Sequence, residues 1–174
     1  LPQRITPRLC EILARYHPLW INVQFNHPRE LTEEAAAACD RLLRAGIPLG
    51  NQSVLLAGVN DDPETMLRLV RGLVKMRVRP YYLYQCDVVR GTRHFRTPIE
   101  VGFEILRHLQ GFTTGFAVPT FVVDSPIGKI PLGLQNLLAR EEDAIVLRNY
   151  EGKTCRLPNP SPVQARREVA AAAL

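Results

Sequence analysis

The sequence lacks the short motifs that identify the commonest cofactor-binding folds. No predicted strand is followed by G-x-G-x-x-G or by a P-loop, so a dinucleotide-binding or nucleotide-hydrolysing domain is not indicated. No apolar run approaches the ~18 residues of a membrane span, and no charged-then-apolar leader opens the chain. We therefore expect a cytoplasmic protein with no membrane partner.

Cysteine and histidine are few and dispersed. The four cysteines, none of them in a C-x-x-C pair, are Cys10, Cys39, Cys86 and Cys155. The four histidines, none of them at ligand spacing, are His17, His27, His94 and His108. This distribution indicates neither a zinc knuckle nor a disulfide framework. We expect reduced thiols and no metal ligands in this chain.

Positive charge is present but is not concentrated. The net charge of +5 and the pI of about 9.3 permit an anionic ligand. Lysine and arginine are scattered, however, and Arg166-Arg167 is the one adjacent basic pair. Because no basic stripe or interleaved aromatic motif is present, we expect no nucleic-acid partner.

The composition is that of a globular domain. The chain has 174 residues, of which 46% are hydrophobic and 22% charged, and this is enough to bury a core. It begins Leu1-Pro2-Gln3-Arg4 without a methionine and continues directly into a helix signal. We expect it to be a segment of a longer protein.

Helix and strand signals alternate along the first 123 residues. Four helix starts are marked by a capping residue, three of them with proline next: Thr6-Pro7, Thr32, Asp62-Pro63 and Thr97-Pro98. Strand-type segments follow the helices at 18–25, 47–56, 79–87 and 115–123. Such alternation predicts an α/β fold with parallel strands and right-handed crossovers. Four units fit half of a barrel better than a complete one, and a small doubly wound domain is the alternative.

The pattern changes after Pro131. Two strand-type segments at 144–148 and 154–157 flank Glu151-Gly152 and predict a β-hairpin. The remainder of the chain resembles a loosely ordered tail. We therefore divide the chain into a barrel part at 1–133, a β-hairpin extension at 134–160 and a tail at 161–174.

Several polar side chains lie near the predicted carboxyl ends of the strands. They are Gln24, Asn26, Gln52, Tyr84, Asp87, Asp124 and Lys129. Because the ends of parallel strands meet at one mouth, Asp87 and Asp124 would repel each other unless a cation lay between them. This suits a substrate ammonium. Capping of the following turns is an equally open alternative, and metal binding is a weaker one.

Lys129 and the nearby tyrosines allow a second kind of chemistry. An amine beside glycine in a partly desolvated mouth loses its proton more readily, so Lys129 could form a Schiff base with a carbonyl cofactor. A solvated loop lysine is the alternative. Tyr82 and Tyr84 share one side of their strand, and Tyr81 alternates with them. Their hydroxyls could reach a cofactor, although packing is the simpler interpretation.

Seven runs of the sequence resemble the lysine 2,3-aminomutase family. They are LPQRIT at 1–6, FNHP at 25–28, GIPLGNQSVLL at 46–56, GVND at 58–61, RVRPYYLYQCD at 77–87, HFRTP at 94–98 and GFAVPTFVVD at 115–124. The resemblance extends to about residue 160 and corresponds to the carboxyl-terminal half of the family's protein. It implies the carboxyl-terminal portion of a partial (β/α) TIM-like radical S-adenosylmethionine barrel with a small β-hairpin extension.

The resemblance also implies an activity and its cofactors. The family interconverts L-lysine and β-lysine by moving an amino group between C2 and C3, with S-adenosylmethionine, a [4Fe-4S] cluster and pyridoxal phosphate. It implies that Lys129 is the pyridoxal-binding lysine, with Tyr84 contacting that cofactor and Gln52 contacting S-adenosylmethionine. Asp87 and Asp124 are implied to hold the substrate's side-chain ammonium. Glutamate-specific relatives lack this acidic pair, which favours lysine as the substrate.

The sequence departs from the family pattern at four places. The C-x-x-x-C-x-x-C cluster motif is absent, so we expect no cluster ligands here and an inactive isolated chain. The glycine-rich run before the lysine is short, Gln24 stands where many members have histidine, and a carboxyl-terminal zinc-binding cysteine cluster is missing. Two alternatives stay open: a non-catalytic amino-acid- or pyridoxal-binding fragment, or an aminomutase that supplies β-lysine for modifying a translation factor. The exposed strand edges of half a barrel would favour a homo-oligomer.

Overall fold

A five-stranded sheet forms the centre of the computed structural model, which describes residues 1–133 and 135–172. Its strands are β1 (Ile21–Val23), β2 (Leu49–Leu55), β3 (Val78–Gln85), β4 (Thr120–Ser125) and β5 (Gly128–Pro131). They lie in sequential order, with β1 to β4 parallel and β5 antiparallel to β4. The predicted α/β alternation with a parallel sheet is confirmed.

Four helices precede the parallel strands. They are α1 (Pro7–Ala14), α2 (Glu33–Arg44), α3 (Pro63–Lys75) and α4 (Ile99–Leu109). The first three begin as predicted, because a side chain before each helix accepts a hydrogen bond from a free backbone N–H of its first turn. The capping residues are Thr6 bonding Leu9 N, Thr32 bonding Ala35 N and Asp62 bonding Thr65 N, at 3.2, 3.2 and 2.8 Å.

The predicted cap of α4 is wrong. The Thr97 side chain makes no capping hydrogen bond, and Pro98 directly precedes the helix. The N–H of Ile99 instead donates to Asn159 Oδ1 at 2.8 Å. A cap from sixty residues further along the chain leaves no local signal in the sequence, whereas the Thr-Pro pair imitates one.

Strand β1 is shorter than predicted because side chains of β2 replace its backbone pairing. Beyond Val23, the N–H of Phe25 donates to Asn51 Oδ1 at 2.7 Å, and Ser53 Oγ donates to Phe25 O at 2.7 Å. Asn51 and Ser53 are buried, so these bonds also satisfy polar groups that would otherwise lose water without compensation. The polar residues within β2 therefore have a structural role.

One face of the sheet is covered by helices. Apolar side chains of α3 and α4 pack there against Leu55, Leu83 and Phe121, which are almost completely inaccessible to solvent. Phe121 lies directly against Gly102 of α4, where any side chain would enter its ring. The opposite face carries the exposed side chains of Asp124 and Lys129.

A second sheet follows the first. It is antiparallel and contains β6 (Leu137–Arg140), β7 (Ala144–Arg148) and β8 (Thr154–Pro158). The predicted hairpin is confirmed as β7 and β8, and β6 is an additional strand at its edge. The proposed domain division stays a prediction, and its boundary residue 134 lies outside the described residues.

The expectation of a loosely ordered tail was wrong. Helix α5 occupies Pro162–Ala172, and residues 173 and 174 lie outside the described part. Ser161 Oγ accepts from Gln164 N at 3.2 Å, while Gln164 Oε1 accepts from Ser161 N at 3.0 Å. This reciprocal pair is a capping box, with Pro162 at the first helical position. The sequence S-P-V-Q at 161–164, at the start of a segment that continues ARREVAAAA, was the signal that we missed.

None of the described helices is both long and apolar enough to cross a membrane.

Substituting Gly102 tests the contact between α4 and the sheet. We expect Gly102→Val to lower the free energy of unfolding by about 1–3 kcal/mol, because the added methyl groups overlap the Phe121 ring. Gly115→Val is the control, since nothing lies within 4 Å of a side chain added there. Urea unfolding of both variants gives the measurement. Equal midpoints for the two variants would contradict this packing.

Candidate functional site

The face of the sheet opposite the helices carries most of the predicted site residues. Gln52 of β2 lies in register with Tyr82 of β3, and Asp124 of β4 lies in register with Lys129 of β5. Tyr84 follows Tyr82 by two residues. Because in-register neighbours and residues two apart share a face, these five side chains lie on one surface.

A β-bulge adds a third tyrosine to this surface. The register shifts between Asn51 and Gln52, so β3 contains one extra residue, Tyr81, opposite this point. Tyr81 therefore faces the same side as Tyr82, and its hydroxyl donates to the Tyr82 hydroxyl at 3.0 Å. The predicted alternation of Tyr81 was wrong, because a bulge depends on strand pairing that the local sequence does not show.

The three tyrosines form a continuous aromatic surface. The ring centroids of Tyr81 and Tyr82 are 3.8 Å apart, and those of Tyr82 and Tyr84 are 5.6 Å apart in an edge-to-face arrangement. Lys129 Nζ lies 5.3 Å from the centroid of the Tyr84 ring, within the range of a cation–π contact. The aromatic surface thus ends at an amine.

Lys129 lies on strand β5, whereas the sequence also allowed a position in a loop. Ser125 and Gly128 pair across a two-residue turn formed by Pro126 and Ile127. Ser125 Oγ donates to Gly128 O at 2.7 Å, and Gly128 has a φ of +103°, which favours glycine. The short turn therefore makes a hairpin that holds Lys129 directly opposite Asp124.

The surroundings of Lys129 favour its ammonium form. The neighbouring Tyr84 side chain is the main cause that raises the pKa of Lys129, and the negative charge of Asp124 adds to it. The side chain is exposed, so burial does little to oppose this. This direction is opposite to the one that a desolvated amine would show, and the Schiff-base role of Lys129 stays a prediction.

Asp87 and Asp124 are close enough to interact. Partial burial raises the pKa of the Asp87 carboxyl, and the charge of Asp124 raises it further. The ammonium of Lys129 acts in the opposite direction. The direction at Asp87 is the one expected for an acid beside a second acid, whereas the role of the two acids in holding a substrate ammonium stays a prediction.

The remaining candidates lie elsewhere. Asn26 Oδ1 accepts from Val54 N at 2.8 Å, and its carbonyl accepts from Asn60 Nδ2 at 2.7 Å, so its role is structural. Gln24 lines a cavity of about 650 Å³ between β1 and α2, apart from Lys129. Within residues 1–133 and 135–172, no group of three or more His, Cys, Asp or Glu side chains is arranged to hold a metal ion.

Comparison with known proteins connects this geometry to a family. A family model described as Lysine-2,3-aminomutase matches residues 106–172. L-lysine 2,3-aminomutase of Fusobacterium nucleatum is 57% identical over 154 residues, which cover 87% of this chain and 36% of that protein. Over most of its own length, the chain is therefore similar to the carboxyl-terminal part of the lysine 2,3-aminomutases.

Matches to two further aminomutases cover similar shares of this chain and of the relative. L-lysine 2,3-aminomutase of Bacillus subtilis is 53% identical over 161 residues, 91% of this chain and 34% of that protein. Glutamate 2,3-aminomutase of Clostridioides difficile is 45% identical over 169 residues, 96% of this chain and 40% of that protein. The chain thus spans 34–40% of the length of these relatives.

A solved structure supports the fold. The crystal structure of a radical SAM methyltransferase from Sphaerobacter thermophilus matches with a TM-score of 0.55 at 20% sequence identity. The match covers 70% of this chain and 39% of that one. It supports the α/β architecture with a parallel sheet, whereas the roles of individual side chains of this chain stay predictions.

Two substitutions should move the pKa of Asp87 in opposite directions. Lys129→Met removes the charge that lowers this pKa, so the pKa should rise. Asp124→Asn removes the charge that raises it, so the pKa should fall. Carbon-detected NMR titration of the Asp87 carboxyl measures both shifts. Lys153→Met is the control, because Lys153 pairs with Glu151 at 2.6 Å. Shifts of the same sign in both variants would contradict the arrangement.

Proposed function

We propose that this chain is the substrate- and pyridoxal-binding part of an isomerase that interconverts L-lysine and β-lysine by 2,3-amino migration. The observation that carries this proposal is the placement of Asp87, Asp124, Tyr84 and Lys129 together at one end of the sheet. Similarity to the lysine 2,3-aminomutases supports it. The isolated chain is expected to be inactive, since the reaction also needs the cluster and its ligands.

The acidic pair supports lysine as the substrate. Two carboxylates beside each other form a site for a second ammonium group, which L-lysine has and which alanine or glutamate lacks. Identity to the relatives named L-lysine 2,3-aminomutase reaches 57%, against 45% for the one named glutamate 2,3-aminomutase. Both arguments favour the same substrate class.

The residues around Lys129 fit pyridoxal phosphate. The amine is exposed, and the adjacent Tyr82 and Tyr84 rings, which meet edge to face, provide aromatic groups against which a pyridine ring could pack. Lys129 would hold the aldehyde carbon of the cofactor, and Tyr84 would contact the cofactor beside it. When bound, this cofactor would carry the migrating nitrogen. Gln52, two strands away from β4 on the same face, would contact S-adenosylmethionine.

We further propose that the five-stranded sheet is part of a partial TIM-like radical S-adenosylmethionine barrel. The parallel, sequential order of β1 to β4 supports this, because a barrel needs neighbouring strands joined by crossover helices. The position of the candidate residues near the carboxyl ends of β3 and β4 agrees with the usual site location in such barrels.

Cofactor attachment can be tested at a single residue, because the chain has three lysines: Lys75, Lys129 and Lys153. We expect incubation with pyridoxal phosphate, followed by borohydride and peptide mapping, to label Lys129. Lys129→Ala should abolish the absorbance of the bound cofactor, while Lys153→Ala should retain it. Equal labelling of all three lysines would refute the role of Lys129.

Substrate binding can be tested through the acids. We expect Asp87→Ala and Asp124→Ala each to weaken L-lysine binding by roughly tenfold or more, because each removes a charge-assisted hydrogen bond. Isothermal titration calorimetry gives the measurement. Asp143→Ala is the control, since Asp143 is exposed and pairs with Arg156 at 2.8 Å. If the unaltered chain binds L-alanine as tightly as L-lysine, the ammonium site is wrong.

A further inference from the structure

The loop between β3 and α4 holds the backbone of Asp87. Thr92 Oγ1 donates to Asp87 O at 2.9 Å and to Val89 O at 3.0 Å. Arg96 Nε donates to the same Asp87 carbonyl at 3.4 Å. The position of the Asp87 carboxyl therefore depends on where the segment from Thr92 to Arg96 lies.

Helix α5 packs against that segment. Its Glu168 accepts from Arg93 Nε at 2.8 Å, and Arg93 begins a single 3₁₀ turn, Arg93–Phe95. The Arg93 side chain is 80% exposed, so this ion pair alone contributes little stability. Its geometry nevertheless sets where the turn meets the helix.

Apolar contacts of α5 extend to the neighbouring loop. Val169 Cγ1 lies 3.3 Å from the position of a side chain added at Gly58, in the loop after β2. The loop after β2 is hydrogen-bonded to the β3–α4 loop, because Ala57 N donates to Phe95 O at 2.9 Å. Ala165 of α5 is also buried. The helix thus contacts two adjacent loops that are bonded to each other.

The segment before α5 reaches the other end of the Asp87 loop. Asn159 is buried, and its side chain caps α4 by accepting from Ile99 N at 2.8 Å. Its amide also donates to Glu100 Oε2 at 3.3 Å. Residues 159–172, hereafter the brace, therefore contact the loop both at Arg93 and where α4 begins.

We propose that the brace is a positioning element that fixes the β3–α4 loop and thereby holds Asp87 at the correct separation from Asp124. Two carboxylates bind one ammonium tightly only when both are already in place, because ordering a mobile loop upon binding would cost affinity. The part of this inference that concerns ammonium binding rests on the proposed function. The part that concerns the position of the β3–α4 loop rests on the contacts of the brace alone.

A matched pair of valines on α5 provides the test. Val169 faces Gly58, whereas Val163 is 59% exposed on the same helix. We expect Val169→Ser to accelerate amide hydrogen exchange in residues 88–97 by about tenfold, since local opening becomes easier, while exchange in α3 stays unchanged. Val163→Ser should change neither. L-lysine affinity should fall in Val169→Ser and not in Val163→Ser.

The ion pair between Arg93 and Glu168 provides a second test of the same contact. Arg93→Glu and Glu168→Arg should each accelerate amide hydrogen exchange in residues 88–97, because each places two like charges together. The double variant with both substitutions should restore slow hydrogen exchange, because opposite charges then face each other again. Unchanged exchange in this loop for Val169→Ser and for both single charge variants would overturn the brace.

Affinity separates this inference from the proposed function. If Asp87→Ala weakens L-lysine binding but Val169→Ser accelerates loop exchange without weakening it, positioning by the brace is refuted and the ammonium site stands. If Asp87→Ala has no effect while Val169→Ser accelerates exchange, the ammonium site fails, and with it the link from the brace to binding.

Discussion

The two-residue turn between β4 and β5 is the constraint on which the candidate site depends. A side chain changes face with each residue of a strand, so a turn longer or shorter by one residue would direct Lys129 away from Asp124. The Ser125 hydroxyl bond and the positive φ of Gly128 define this turn. The same register brings the Lys129 amine beside the Tyr84 ring, so the positions of the amine relative to Asp124 and to Tyr84 are set together.

Much of the architecture follows from local sequence signals. Capping residues before α1, α2 and α3 predicted their starts, because an N-cap bond is made within three residues. The alternation of helix and strand predicted the parallel sheet. The positions of Asp87 and Asp124 near the strand ends were also predictable, since strand ends can be located from the sequence and parallel strands place those ends together. Their role in binding stays a prediction.

The features that were missed depend on contacts between distant residues. The bulge that turns Tyr81 toward Tyr82 arises from pairing with β2, and the cap of α4 comes from Asn159. The protonation preference of Lys129 depends on Tyr84 from another strand. Helix α5 is different, because its Ser161–Gln164 capping box was visible in the sequence and was overlooked.

The bond from Ile99 to Asn159 has a consequence for the order of folding. The first turn of α4 lacks its cap until a residue sixty positions later has been synthesised and docked. Until then, the N–H of Ile99 lacks the side-chain partner that it has in the folded protein. A chain that ended before Asn159 would keep every strand of the first sheet, yet its α4 would fray at the end nearest to Asp87.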